Sequence, residues 1–214
     1  MIDRKILLSV VLLAFFAGCD AGDKIQETID NVKSDYLDEE VASVVDNSDA
    51  VLANNNISID DQIEAMLVLH NDARRDVNIT RNLVWSDRIA LDAQSYADTL
   101  ANSGAFEHDP KNHEGYDNGA YGENLYAAYP SKPSLATATK AWIDEKQYYT
   151  VGLIGDDSTC VENQLCGHYT QIVWESTSEV GCAISKYTTG SYKDGYVIVC
   201  KYQTPGNYVG ERPY

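Results

Sequence analysis

Four cysteines in the last third of the chain, Cys160, Cys166, Cys182 and Cys200, limit the fold more than any other feature. Cys182 and Cys200 lie in two β-prone runs, residues 180–187 and 195–202, separated by the turn-forming Thr188-Thr189-Gly190-Ser191. These runs read as an antiparallel hairpin with a longer loop. Cys160 and Cys166 are six positions apart across a polar loop. Four cysteines allow three pairings, and 160–166 with 182–200 is the economical one. A four-cysteine zinc site is the alternative, but neither end has the spacing of a C-x-x-C pair.

Upstream of the hairpin the pattern is helical. Ser58 or Asp60 can cap a helix over 61–76, with Ile63, Met66, Leu67 and His70 along one side. A short β-prone stretch, Leu83-Val84-Trp85, follows. Asp87 opens a second helix with Ile89, Ala90, Ala93, Ala97 and Leu100 on its buried stripe, ending near Gly104. Residues 106–128 read as a long loop, and Pro133 starts a third helix running to about Tyr149 with Ala136, Ala141, Trp142 and Tyr148. Helices first and strands last predicts an α+β fold in which helices cover a sheet.

The N-terminus reads as an address. Arg4 and Lys5 precede an apolar run from Ile6 to Phe16, followed by Ala17 and Gly18, the order of an export signal over residues 1–18. That run is about half of the ~20 residues a spanning helix needs. Phe16-Ala17-Gly18-Cys19 resembles a bacterial lipobox, which makes Cys19 a lipidation site and leaves four cysteines to pair as disulfides. The alternative is an ordinary secretory signal cut nearby. Export to an oxidising compartment also favours disulfides over zinc. Residues 19–58 read as an acidic tether. They hold the chain off the envelope, and the remaining domain occupies 59–214.

With 16 Lys and Arg against 33 Asp and Glu, the formal charge is -17. Such a surface repels phosphate backbones and anionic headgroups, so nucleic acid is excluded as a partner and membrane contact is expected only through the N-terminal anchor.

Four histidines concentrate the chemistry. His70-Asn71-x-x-Arg74, Gly122-Glu123-Asn124-Leu125-Tyr126, Gly167-His168-Tyr169-Thr170-Gln171-Ile172-Val173-Trp174 and Val199-Cys200-Lys201-Tyr202-Gln203-Thr204-Pro205-Gly206-Asn207-Tyr208 follow one another in that order. Together they resemble the CAP superfamily of cysteine-rich secretory proteins, antigen 5 and pathogenesis-related protein 1. The ending Val209-Gly210-Glu211-Arg212-Pro213-Tyr214 is most similar to the plant group. The resemblance spans residues 59–214. It implies an α-β-α sandwich with an antiparallel sheet, the same 160–166 and 182–200 disulfides, and a cleft tetrad at His108, Glu123, Glu145 and His168. His70 matches a helix position outside the tetrad, and His113 matches none.

Two imidazoles and one or two carboxylates suit a divalent metal, zinc first, held by His108 and His168. The same set can activate water for hydrolysis or serve as a hydrogen-bonded brace between helices and sheet. Catalysis has the weakest support. No nucleophile stands out among Ser103, Thr170 and Ser176, and the family resemblance implies no accepted activity. Tyr148, Tyr149 and the tyrosines from 121 to 129 flank tetrad members and suit a groove for a small lipid-like or envelope-derived ligand. A protein-interaction module is the remaining expectation.

Overall fold

Ser58 has extended backbone dihedrals, and its hydroxyl accepts a hydrogen bond from the Asp61 amide, so helix α1 (Ile59–Asp76) starts there. Asp60 and Asp61 occupy the first turn and Arg74 and Arg75 the last, each sign at the end of the helix dipole that favours it. The computed structural model describes residues 58–112 and 120–214. The expected export signal, Cys19, residues 19–57 of the expected tether and His113 lie outside the described residues; Ser58, the last residue assigned to the tether, is the cap of α1.

After α1 come strand β1 (Val84–Trp85), helix α2 (Asp87–Ser103) and strand β2 (Gly122–Ala128). Helix α3 (Leu135–Ile143) runs into a 3-10 turn (Asp144–Tyr148), and helix α4 (Gly167–Ile172) precedes strands β3 (Glu179–Lys186) and β4 (Tyr196–Gln203). The sheet order is β1-β3-β4-β2. β1 runs parallel to β3, and the other neighbours are antiparallel.

The expected hairpin forms, in a register that puts Cys182 directly opposite Cys200. Disulfides join 182 to 200 and 160 to 166, with Cα separations of 4.1 and 6.0 Å. The fold is the α-β-α sandwich expected. On one face Met66 of α1, Leu135, Ala138 and Trp142 of α3, and Tyr169 and Ile172 of α4 pack on Val180, Cys182, Ile198, Cys200 and Tyr202. On the other, Ala93, Tyr96, Ala97 and Leu100 of α2 pack on Ala183, Val197 and Val199. Side chains alternate across a strand, so consecutive residues feed the two cores.

Two glycines make the α2 layer possible. Gly104 ends α2 at φ +75°, the left-handed turn that glycine adopts without strain. A Cβ on Gly181 of β3 would lie 2.2 Å from the Ala90 backbone nitrogen, so α2 crosses the sheet at backbone contact there.

Local expectation fails in three places. Residues 122–128 are not loop but the edge strand β2, paired along its length with β4; Gly-Glu-Asn is poor strand sequence, and the neighbour imposes the conformation. Pro133 precedes the cap instead of opening the third helix. Ser134 accepts from the Thr137 amide, and the helix tightens to 3-10 after Ile143, leaving Ala141 exposed. The six residues of α4 are too short to show a helical period.

Candidate functional site

The loop after α2 carries His108 to the start of β2, where Glu123 is 1 % exposed along its side chain. Glu123 Oε1 accepts from His108 Nδ1 at 2.7 Å and from the Asp109 amide at 3.0 Å. The hydrogen bond to Glu123 raises the His108 pKa above its ordinary value. Partial burial and the Lys201 charge oppose the rise, and the Glu123 charge adds to it. Glu123 Oε2 is buried without a hydrogen bond and lies 3.4 Å from Lys201 Nζ.

Lys201, outside the expected tetrad, joins the site. Its side chain is 2 % exposed on β4, opposite Glu123, and its ammonium donates to Asp109 Oδ2 at 2.7 Å and Asn112 Oδ1 at 2.5 Å. The same ammonium stands 5.2 and 5.5 Å from the ring centres of Tyr96 and Tyr121. Two carboxylates, one amide oxygen and two aromatic faces replace the water that burial removes from this cation. The sequence signal was there: a lone lysine inside Val197-Ile198-Val199-Cys200-Lys201-Tyr202, a run that otherwise reads as core.

The second pair forms between the 3-10 turn and α4. Glu145 Oε1 accepts from His168 Nδ1 at 2.5 Å, while Oε2 accepts from the His168 and Tyr169 amides at 3.0 and 3.1 Å. One carboxylate thus holds the imidazole and satisfies two amides of the first turn of α4. The His168 ring stacks on Trp142, 5.9 Å between centroids and 24° between planes.

The four expected residues therefore come together as two His–Glu pairs. Asn124 links them: it follows Glu123 on β2, and its amide donates to the His168 carbonyl at 3.1 Å. Among the described residues no hydrogen bond joins one pair directly to the other, and no group of three or more His, Cys, Asp or Glu is placed to hold a metal ion. In both histidines Nδ1 is taken by a carboxylate, and Nε2 has no hydrogen bond among the described residues. A cavity of about 420 Å3 between α2 and the following loop is lined by Tyr96, Asp109, Tyr121 and Lys201 but not by the four. It meets the His108–Glu123 pair through Lys201 and Asp109.

His70 belongs to a different network. Its Nδ1 donates to the Met66 carbonyl at 2.9 Å, so Nε2 accepts from the Tyr202 hydroxyl at 3.0 Å, and that hydroxyl accepts from Asn124 at 3.2 Å. Burial lowers the His70 pKa to about 4 and pushes the Tyr202 phenol up. Arg74, one turn on, is fully buried and donates to five carbonyls, those of Arg81, Ile172, Trp174, Glu175 and Thr177. Burial lowers its pKa to about 10, which leaves it charged at neutral pH. The first motif thus holds the scaffold together, while the second and third each supply one member of a pair, Glu123 and His168.

A family model described as the cysteine-rich secretory protein family, CAP, matches residues 67–202. Pathogenesis-related protein 1A of Nicotiana tabacum is 43% identical over 145 residues, 68% of this chain and 76% of that protein. Pathogenesis-related protein PR-1 of Medicago truncatula is 42% identical over 148 residues, 69% of this chain and 76% of that protein. In fold the chain is similar to NaASP2, crystallised with Zn2+, at a TM-score of 0.57 and 22% identity, covering 75% of this chain and 88% of that one. It is also similar to BmVAL-1 at a TM-score of 0.58 and 24% identity, covering 74% and 84%.

Proposed function

Because the chain belongs to the cysteine-rich secretory protein (CAP) family, with pathogenesis-related 1 proteins among its relatives, we propose that it is an exported binding domain. Its His108, Glu123, Glu145 and His168 side takes a small apolar, lipid-like or envelope-derived ligand, with a divalent metal on the two imidazoles. The observation that carries this reading is the tethering of both histidines. A carboxylate on Nδ1 fixes the tautomer, raises the basicity of Nε2 and is the usual outer support of a metal-ligating histidine. On this reading His108 and His168 are the ligands, and Glu123 and Glu145 are their supports.

Two imidazole nitrogens with remaining positions open suit zinc, the ion also present with NaASP2. A bound zinc would offer those positions to an oxygen of the ligand's head group. Tyr126, Tyr148 and Tyr149, half-buried, and Tyr129, 73% exposed, supply apolar area with polar tips around the same elements. Export places the protein in an envelope compartment, anchored through a lipid on Cys19 with residues 19–58 as the tether. Among the described residues no helix is long and apolar enough to cross a membrane.

Calorimetric titration of the oxidised full chain with zinc chloride tests the metal. One equivalent should bind, and His108→Ala and His168→Ala should each abolish it. Glu145→Gln should weaken it by about 10–100-fold. Undiminished binding in both histidine variants, or none in the native chain, sinks the metal part. Displacement of a fluorescent fatty acid or sterol probe tests the ligand part separately.

A further inference from the structure

The sheet is unevenly covered at its β3 edge. β1 pairs only at Glu179 and Val180 of an eight-residue strand, and Ser86, the next residue, caps α2 and takes the chain away. The Val180 carbonyl accepts from the Ser86 amide, while the Tyr187 amide bonds Gly195 on the β4 side. Successive residues of a strand direct their amide and carbonyl to opposite edges, so those of Cys182, Ile184 and Lys186 face away from β4. No hydrogen bond to them exists among the described residues.

Beside this edge runs a groove of about 500 Å3, lined by Ile59, Trp85, Leu91, Lys132, Leu135 and Ile184 among others. Its walls are the starts of α1 and α3 on one side and of α2 on the other. Ile59 and Leu91 are 58% and 69% exposed, although both are large aliphatic side chains. Backbone groups without a partner among the described residues at the floor, and apolar side chains on the walls, are what strand addition requires.

We propose that the β3 edge from Cys182 to Lys186 is a docking site for an extended segment of a protein partner, which adds there as a fifth strand. The site admits about five residues, roughly 16 Å at the rise of a strand. Alternate side chains of the segment enter the Ile59–Leu135 wall and are apolar. The segment carries basic residues at its ends, since a chain of net charge -17 attracts cationic partners and repels a second copy of itself.

The test uses the oxidised full chain and short synthetic peptides with Val, Ile or Leu at alternate positions and Lys at both ends. Amide hydrogen exchange should slow by at least about tenfold at Cys182 and Ile184 when the peptide binds, with Val197 and Val199 of β4 unchanged. N-methylation of the peptide on its pairing edge should remove the effect, and replacing its terminal Lys by Glu should weaken it by about tenfold. Absence of protection with every peptide overturns the proposal, as does protection that survives N-methylation. Protection that grows with protein concentration and needs no peptide assigns the edge to a second copy and overturns the partner named here.

Discussion

Two histidines of this chain are pushed in opposite directions, and the sign of each gives a different pH dependence. His70 resists protonation in the fold, its pKa lowered from 6.5 to about 4, so its neutral network is intact above 6.5 and is lost as pH falls toward 4. Between pH 7 and pH 5 this single group should remove roughly 2 kcal/mol of stability. Urea unfolding of native protein and His70→Gln at both pH values checks it. The variant starts less stable but loses less on acidification, and an equal loss in both would refute the assignment. His108 has the reverse sign. Its pair with Glu123 stabilises fully below 6.5 and fades as pH rises through the raised value, weakly, because the imidazole is 63% exposed. Neither role was legible from spacing. His108 and Glu123 are fifteen residues apart across a loop without period, and only the motif resemblance named them together. Lys201 lies inside the fourth motif and stands out as a lone charge in an apolar run, but nothing in a chain sequence says which carboxylates a buried lysine will meet.

Elements were legible in proportion to how much of their conformation is local. α1 and α2 carry long apolar stripes with their caps in place, and both form within a residue or two of where the pattern puts them. β2 reads as loop in the sequence because its reason for being a strand lies in β4, some seventy residues away. The contact between α2 and β3 at Gly181 is likewise invisible in sequence and makes a sharp prediction. Gly181→Ala forces helix and sheet apart and should cost about 1–3 kcal/mol. In urea the midpoint should fall with the slope unchanged. An unaltered midpoint would mean that the two backbones are not in contact there.

For the whole molecule, the order of helices then strands, with cysteines on the hairpin, was enough to indicate a covered sheet, and the motif resemblance added the second helical layer. It did not reveal that β1 joins the sheet in parallel and stops after two residues. Because of that short strand, β3 beyond Val180 has no neighbour on this edge among the described residues. The N-terminal reading belongs to this scale as well. If Cys19 carries a lipid, the full chain expressed in bacteria should partition into the detergent phase of a Triton X-114 extraction, and Cys19→Ser should move it to the aqueous phase. Equal partitioning of both would leave residues 1–18 as an ordinary cleaved signal.

Arg74 reaches carbonyls up to 103 residues further along the chain. Before that later segment arrives, the guanidinium on α1 lacks four of its five acceptors and cannot be taken out of water without a large desolvation cost. The first helix therefore cannot mature on its own during synthesis or translocation. Its final packing waits for residue 177 to emerge, which ties the earliest and latest parts of the domain into one late, cooperative folding event of high contact order.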